Sequence, residues 1–442
     1  MAVKVANVVL WGSAIGAVSW LEERECAAFE YTPEFQRSGI ELAPLTMPLG
    51  PEIHTFPSLA KESFYGLPGL LADALPDKFG NILIDEWLVR SGRDLTSFTP
   101  VERLCYVGAR GMGALEFEPV LGGARDRSTK VDVGDLVRLA ADALSQKKQL
   151  DTRLTGNSEA DVEAMRDILR VGTSAGGARA KAVIAWNEST GEVRSGQIEA
   201  PSGFGYWLLK FDGVSGNSDK ELEDPTGYGK IEYAYHLMAQ DVGIEMTKCR
   251  LFEEHGRSHF MTKRFDRTDD GEKVFMQSLC ALGHFDFNQA GAYSYEQAIE
   301  VAQQLGLTRT DFEQLFLRAT FNIMARNQDD HTKNIAFLMD KSGAWRLAPA
   351  FDVIYSYNPD GAWTSQHQMS LNGKRDGFNV SDLRTVADRF RLFRGKRLNE
   401  LLAKIDRTLS RWPSFAETAG VTENTANAIS KQFRRLDGLG DD

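Results

Sequence analysis

The chain has 442 residues, of which 42% are hydrophobic and 26% are charged, as in an ordinary water-soluble protein. A chain of this length exceeds what a single hydrophobic core usually organises, so we expect two or more domains. Its 51 Lys and Arg residues face 62 Asp and Glu residues, a formal net charge of -11. This charge disfavours unaided binding to nucleic acid or to an anionic membrane, and any DNA contact would need a local basic patch or a basic partner.

The cysteines lie far apart without a CxxC pair, so the sequence predicts neither a zinc site nor a disulfide framework. They are Cys26, Cys105, Cys249 and Cys280. We expect buried free thiols in a reducing cytoplasm. The apolar run after Lys4 has some likeness to a signal peptide, but two strands at residues 3–10 and 14–20 explain it better. No apolar run is long enough to cross a bilayer, so we expect a cytoplasmic protein with no membrane partner.

Residues 1–125 have the pattern of a small mixed α/β subdomain. The opening hairpin is followed by an aromatic strand at 29–31 and by a helical stretch around 70–90, which Pro76 interrupts. The polar residues 122–129 resemble a linker, and we place the first boundary there.

Residues 126–275 and 276–442 form the second and third predicted units. The second has predicted helices at 133–145 and 230–240 and predicted strands at 181–186, 206–211 and 259–265. The third is mostly helical, with helices at 294–305 and 311–325 and one hairpin at 335–350.

The most informative segment is NQDDHTKN at 327–334, which is followed by a second acidic residue, Asp352. A capped helix beginning near Thr308 leads into this segment, and the hairpin returns the chain beside it. A carboxylate, an amide five positions on and a second carboxylate form the arrangement that protein kinases use at magnesium-ATP. We therefore predict Asp329 as the catalytic base and Asn334 and Asp352 as ligands of Mg²⁺ and nucleotide.

The simpler alternative is that the DDH cluster only solvates a loop, or that Asp330 and His331 cap a helix. The spacing, the hairpin and the second Asp together favour chemistry. We include His331 among the candidate nucleotide-binding residues, although a lone histidine more commonly serves as a structural hydrogen-bonding group. Asp330 is expected to be structural.

A glycine-rich segment precedes the predicted strand at 181–186 and offers backbone N–H groups to phosphates. Its candidate nucleotide-binding residues are Ser174, Ala175, Gly176, Gly177, Ala178 and Lys181. The segment is neither a Walker A motif nor a GxGxxG motif, and an ordinary flexible loop is the alternative.

Lys210 ends an apolar strand, the place where a kinase lysine holds the α and β phosphates. A surface lysine is the alternative, and Glu232 on the following helix is the candidate partner. The predicted strand at 259–265 is suited to be the hinge against adenine. We therefore add Lys263, Phe265 and Asp266 to the nucleotide site.

Taken in order, these motifs resemble the HipA-type serine/threonine kinases, the toxin components of type II HipBA-like toxin-antitoxin pairs in bacteria. The resemblance also includes Gln277-Ser278-Leu279, Arg264 to Arg267 around the hinge, and Val353 after Asp352. The opening hairpin and the LPGLLADALPD segment at 67–77 look like the small N-terminal subdomain of full-length members.

The resemblance implies a bilobed, protein-kinase-like α+β fold, with a mixed α/β N-terminal lobe, a small N-terminal subdomain and a mostly helical C-terminal lobe. It implies an ATP- and Mg²⁺-dependent toxin that phosphorylates a cytoplasmic protein, with aminoacyl-tRNA synthetases as targets known in the family. It implies a small helix-turn-helix antitoxin as partner, through which any DNA contact would be made. It also implies inhibitory autophosphorylation at Ser174, with Thr173 as the alternative, because a dianion there would take the place of nucleotide phosphates.

Two positions depart from the family pattern. Arg179-Ala180 stands where members often carry Gln-Glu, and Lys263 replaces a frequent glutamate. The first departure should tune the phosphate loop, and the second affects only a side-chain contact beside the hinge.

Two other functions stay open from the sequence. One is a small-molecule kinase of the aminoglycoside or choline type. The other is a non-catalytic co-regulator bound to an antitoxin on DNA, with a C-terminal basic stripe touching phosphates or forming a solvated helix face. The stripe consists of Arg389, Arg391, Arg394, Lys396, Arg397, Lys404, Arg407 and Arg411.

Overall fold

The computed structural model describes residues 3–76, 78–90, 92–94, 97–121, 130–146, 179–214 and 226–440. Within these ranges the strands are β1 Val5–Leu10, β2 Ser13–Leu21, β3 Cys26–Tyr31, β4 His54–Thr55, β5 Leu115–Glu118, β6 Lys181–Trp186, β7 Val193–Ser195, β8 Gly205–Lys210, β9 Cys249–Glu254, β10 Arg257–Lys263, β11 Phe275–Ser278, β12 Ala336–Met339 and β13 Trp345–Leu347. The helices are α1 Pro33–Gln36, α2 Lys61–Phe64, α3 Gly69–Ala72, α4 Lys78–Arg90, α5 Pro100–Val107, α6 Val133–Gln146, α7 Tyr228–Val242, α8 Leu279–Gly283, α9 Tyr295–Gln304, α10 Arg309–Ala325, α11 Val380–Arg389, α12 Arg397–Ser410, α13 Trp412–Ala419, α14 Glu423–Ser430 and α15 Leu436–Leu439.

The N-terminal subdomain is built on an antiparallel sheet in the order β4-β3-β2-β1-β5. The predicted opening hairpin is confirmed. Its two-residue turn, Trp11-Gly12, has positive φ at both positions (50° and 80°), which is the backbone that matches the twist of the flanking strands. The predicted interruption at Pro76 is also confirmed, since α3 ends before it and α4 begins after it.

A second antiparallel sheet, in the order β7-β6-β8-β10-β9, carries the predicted strands of the middle unit. Helix α7 packs against β9 and β10 and ends at Gly243, whose φ of 93° suits a residue without a side chain. In β6 and β8, Lys181 and Lys210 are directly paired across the strands, so both side chains leave the same face of the sheet.

The C-terminal lobe is mostly helical and contains a third sheet in the order β11-β12-β13. Helix α10 is largely buried and starts with a capping box between Thr308 and Asp311. It ends at Arg326, whose φ of 58° turns the chain toward the segment at 327–334. The predicted hairpin follows as β12 and β13, so the helix and the hairpin hold the ends of that segment.

The N-terminal subdomain shares a hydrophobic core with the C-terminal lobe, because Phe275, Cys280 and Met339 lie in its apolar cluster. Hydrogen bonds reinforce this contact. The backbone N–H and the hydroxyl of Ser278 both donate to the Asp73 carboxylate, at 2.6 Å and 2.8 Å. The subdomain is therefore packed onto the lobe that carries the predicted catalytic residues.

A buried ionic cluster after β10 joins the subdomain to the chain segment between the lobes. The Asp266 carboxylate accepts from Arg264 Nε at 2.8 Å, from Arg267 Nη1 at 2.9 Å and from the backbone N–H of Gly113 at 2.7 Å. Burial would raise the pKa of this carboxyl, but the two guanidinium groups lower the pKa well below its ordinary 3.8. Asp266 is therefore charged and fully enclosed.

Among the described residues, no helix is both long and apolar enough to cross a bilayer. All four cysteines are buried and free, as predicted. Burial raises the pKa of the Cys105, Cys249 and Cys280 thiols to about 12, so they remain protonated and unreactive near neutral pH. The predicted linker at 122–129 lies outside the described residues.

We expect Asp266→Asn to lower the free energy of unfolding by about 3–5 kcal/mol, because two buried guanidinium groups lose their counter-charge. Urea or thermal unfolding measures this loss. Asp269→Asn is the matched control, since that carboxylate is 85% exposed and pairs with the surface Lys263, so its transition should stay at the wild-type midpoint.

The difference in stability between the wild type and Asp266→Asn should depend on pH. The folded-state pKa of Asp266 lies below the ordinary 3.8, so its stabilisation is complete above that pH and is lost as the pH falls toward the folded value. The gap between wild type and Asp266→Asn should therefore be widest near neutral pH and narrow on acidification. A gap that widens with acid would contradict this account of the cluster.

Candidate active site

Lys210 lies at the centre of the candidate site and connects three parts of the chain. Its ammonium group, at the end of β8, donates to Glu232 Oε1 on α7 at 2.5 Å and to the Asp352 carboxylate beyond β13. The other oxygen of Glu232 accepts from Arg179 Nη1 at 3.1 Å. The predicted pairing of Lys210 with Glu232 is confirmed, and Arg179 is a second cation on the same carboxylate.

The charges of this group are strongly coupled. Burial lowers the pKa of Lys210, but the carboxylates of Asp352 and Glu232 outweigh it and raise the pKa above its ordinary value. Burial raises the pKa of Asp352, but Lys210 and Lys181 lower it well below its ordinary value. Lys210 and Asp352 are therefore both charged at neutral pH. Two lysines side by side, Lys181 and Lys210, make the site favourable for anions.

Asp352 is held in an unusual backbone conformation. Its φ is 53°, a left-handed value that costs a non-glycine residue about 1–3 kcal/mol. Phe351 packs on Phe265 with ring centroids 5.5 Å apart, and Asn327 Nδ2 donates to the Asp352 carbonyl at 3.4 Å. These contacts aim the carboxylate into the site, where 26% of the side chain stays exposed.

The segment at 327–334 lies beside Asp352 as a short loop that ends in the 3-10 turn Thr332–Asn334. Asn334 Nδ2 donates to the Asp329 carbonyl at 2.8 Å, so its amide oxygen remains for another partner. Asn334 and Asp352 line the same internal cavity of about 30 Å³. The two predicted metal ligands are thus brought together.

The two acidic residues of the segment have different surroundings. Asp329 is 32% exposed, and its Oδ1 accepts from the indole N–H of Trp363 at 2.7 Å. His331 Nε2 is 3.9 Å from the same oxygen, beyond hydrogen-bonding distance, while Nδ1 has no partner within the described part of the chain. The partly exposed Asp329 carboxylate is therefore accessible to a substrate, and His331 does not hydrogen-bond to it.

Asp330 is buried in a network of hydrogen bonds. Its carboxylate accepts from Tyr295 at 2.7 Å, from His367 Nδ1 at 2.8 Å and from the backbone N–H of Gln368 at 2.7 Å. Burial raises its pKa, but His367 and the other donors lower it below the ordinary value. Because arginine only donates, the 3.0 Å contact of Arg434 Nη1 makes His367 Nε2 an acceptor and leaves the proton on Nδ1. Asp330 therefore anchors the segment at 327–334 to α9, through Tyr295, and to the loop that contains His367 and Gln368.

The hinge residues differ in what their side chains do. Lys263 Nζ donates to Asp269 Oδ1 at 2.5 Å, and Phe265 packs against a small apolar cluster of Ala336, Leu338 and Ala348. The Asp266 carboxylate is used entirely by Arg264, Arg267 and Gly113. The Asp266 side chain therefore serves as an internal counter-ion, and the predicted nucleotide contact of Asp266 stays a prediction for its backbone.

The predicted phosphate loop, with Thr173, Ser174, Ala175, Gly176, Gly177 and Ala178, lies outside the described residues. Lys181, which follows it, is buried and opposite Lys210. No motif spacing marks Trp363, His367 or Arg434, which reach the segment at 327–334 from distant parts of the chain and were therefore not predicted.

The C-terminal basic stripe is partly neutralised by neighbouring acids. Arg389, Arg397 and Arg411 form ion pairs with Glu300, Glu313 and Asp241 at 2.6 Å, 2.7 Å and 2.9 Å. Ion pairs of this kind are typical of a solvated helix face. They leave less charge for a phosphate backbone than the sequence alone indicates.

Comparison with known proteins gives matches along most of the chain. A "HipA N-terminal domain" model matches residues 6–118, and a "HipA-like C-terminal domain" model matches residues 173–435. A curated relative from Sinorhizobium fredii strain NGR234, described as "Putative kinase Y4mE", is 25% identical over 126 residues. That match spans 26% of this chain and 30% of the relative, less than a third of its length.

Two solved structures are also similar. HipA of Shewanella oneidensis MR-1, solved as a toxin-antitoxin complex with HipB and operator DNA, has a TM-score of 0.62 and 17% identity over 96% of this chain and 94% of that one. The Helicobacter pylori proinflammatory kinase CtkA has a TM-score of 0.32 and 13% identity over 53% of this chain and 89% of that one. The first match confirms the expected bilobed, kinase-like α+β fold, and the second is too weak to support an argument.

The C-terminal domain model alone covers more than half of the 442 residues, and the two models follow each other in the order of the observed subdomain and lobes. The chain therefore belongs to the HipA family.

Proposed function

We propose that the chain is an ATP- and Mg²⁺-dependent kinase that transfers a phosphoryl group to a serine or threonine of a cytoplasmic protein and thereby acts as a toxin. The single observation that carries this proposal is the position of Lys210, which is paired with both Glu232 and Asp352. In protein kinases a strand lysine paired with a helix glutamate holds the nucleotide phosphates, and a nearby aspartate holds the metal.

The residues present suit a magnesium ion. Asp352 and Asn334 supply a carboxylate and an amide oxygen, and Mg²⁺ commonly takes only one or two protein ligands and fills its shell with water and phosphate oxygens. In the described ranges no group of three or more His, Cys, Asp or Glu forms a denser metal site. When bound, the ion would neutralise charge on the transferring phosphates.

The chain's own residues then have separate tasks. Lys210 and Lys181 bind phosphate oxygens, and Glu232 keeps Lys210 in place. Asp329 orients the acceptor hydroxyl and takes its proton as the oxygen attacks the γ-phosphorus and the bond to the departing ADP breaks. Phe265 offers an apolar surface beside the hinge for the adenine ring. This division of tasks is supported by the partly exposed Asp329 and the fully bonded Asp330.

We further propose a small helix-turn-helix antitoxin as partner, with DNA reached only through it. The proposal is supported by the Shewanella relative, which was solved with HipB and operator DNA. The charge of -11 and the ion-paired arginines of the basic stripe disfavour direct DNA binding. An aminoacyl-tRNA synthetase as substrate rests on the family resemblance alone.

Two substitutions separate the proposed roles. We expect Asp329→Asn to lower phosphoryl transfer at least about 1,000-fold while leaving Mg²⁺-dependent ATP binding intact, because it removes the base and not a nucleotide ligand. Asp352→Asn should lose both phosphoryl transfer and Mg²⁺-dependent ATP binding, since it removes a metal-binding carboxylate. Transfer is measured with γ-labelled ATP and lysate protein, and binding by calorimetry with a non-hydrolysable analogue. Undiminished transfer by Asp329→Asn would refute the assignment, and label found only in a metabolite would favour a small-molecule kinase.

Autophosphorylation is proposed at Ser174. Intact mass after incubation with Mg²⁺ and ATP should rise by one phosphoryl group, with loss of kinase activity, because the added dianion competes with nucleotide phosphates. Ser174→Ala should abolish the mass change, and Thr173→Ala should keep it. The reverse pattern would move the site to Thr173, and undiminished modification of purified Asp329→Asn would contradict autophosphorylation through Asp329.

A further inference from the structure

Trp363 makes a direct contact with the catalytic carboxylate. Its indole N–H donates to Asp329 Oδ1 at 2.7 Å, although the two residues are 34 positions apart in the chain. We propose that Trp363 is a positioning residue that aims the second oxygen of Asp329, Oδ2, at the acceptor hydroxyl. This inference rests on the proposed kinase function and adds a residue to its machinery.

The other neighbours of Asp329 do not supply this function. Asn334 binds its backbone carbonyl and not its side chain, and His331 Nε2 stays 3.9 Å from Oδ1. Asp330 uses a separate set of donors. Within the described part of the chain, Trp363 is thus the side chain that donates a hydrogen bond to the Asp329 carboxylate.

Trp363 is itself held by two buried glutamines. Gln368 Nε2 donates to the Trp363 carbonyl, and Gln328 Nε2, from the catalytic segment, donates to the Thr364 carbonyl at 3.1 Å. Gln328 and Gln368 are 0% and 3% exposed. The loop that carries the indole is therefore hydrogen-bonded to the segment that carries Asp329. These bonds hold the indole N–H within hydrogen-bonding distance of Asp329 Oδ1.

The chemistry of the indole determines which oxygen reacts. An indole nitrogen can only donate, so Oδ1 must remain an acceptor while the hydrogen bond stands. The proton released by the acceptor hydroxyl then goes to Oδ2 as its oxygen bonds to phosphorus. An aspartate carboxyl otherwise rotates over a broad range about its terminal torsion, and the bond to Trp363 restricts that rotation. Pre-orientation of a reacting group raises the catalytic rate without strengthening nucleotide binding.

The test compares two conservative tryptophan substitutions. Trp363→Phe removes the donor and should lower kcat for transfer from γ-labelled ATP to lysate protein about 10-fold, with KM for ATP unchanged. Trp345→Phe is the matched control, because its indole N–H donates at 3.3 Å to the Glu41 carbonyl in the N-terminal subdomain, away from Asp329. It should keep the wild-type kcat.

A second readout does not depend on activity. In protein labelled with ¹⁵N-tryptophan, Asp329→Ala should shift the indole N–H resonance of Trp363, which is assigned by its loss in Trp363→Phe, and leave that of Trp345 in place. A wild-type kcat in Trp363→Phe would overturn the inference. So would a Trp363 indole resonance whose chemical shift stays the same in Asp329→Ala. If the wild-type chain transfers no label, the kinase proposal is overturned, and the positioning role of Trp363 is overturned with it. The resonance would still report whether the hydrogen bond to Asp329 forms.

Discussion

The ion pairs of Lys210 are the interaction on which the site depends. One ammonium group connects the middle sheet through β8, helix α7 through Glu232 and the C-terminal lobe through Asp352. Removing one partner of a buried charge pair leaves the other uncompensated, which is far more destabilising than any gain the pair brings. The relative placement of these three parts is therefore constrained by a charge requirement as well as by apolar packing.

The need to neutralise buried charge also determines how the side chains pair when no nucleotide is bound. Lys210 and Lys181 face each other across β6 and β8, and the carboxylates of Glu232 and Asp352 offset their charge. A nucleotide would bring its own negative charge, and a metal ion would compete with Lys210 for Asp352. We infer that Lys210 exchanges the Asp352 carboxylate for phosphate oxygens when substrate binds and keeps Glu232 as its fixed partner.

Local sequence was sufficient where spacing and periodicity define the structure. The capping box at Thr308, the buried face of α10 and the β12–β13 hairpin placed Asp329, Asn334 and Asp352 together. The predicted ion pair between Lys210 at a strand end and Glu232 on the next helix is likewise present. In each case a few neighbouring residues contain the information.

Other features could not be read from the sequence because they need contacts between distant segments. Asp266 was predicted as a hinge residue, but its carboxylate also accepts from the backbone of Gly113, which is 153 positions away, in addition to the neighbouring Arg264 and Arg267. Trp363 and Arg434 reach the segment at 327–334 from the following loop and from the C-terminal region, and neither lies in a motif. Their roles depend on tertiary packing that periodicity does not describe.

Lys210, Glu232 and Asp352 are proposed to form a site for nucleotide phosphates and a metal ion. A crystal structure with Mg²⁺ and a non-hydrolysable ATP analogue tests it most directly. In that structure Lys210 should still contact Glu232 but should have left Asp352 for the α and β phosphates, and Asp352 and Asn334 should bind the metal. A nucleotide bound elsewhere, with the pair of Lys210 and Asp352 intact, would contradict it.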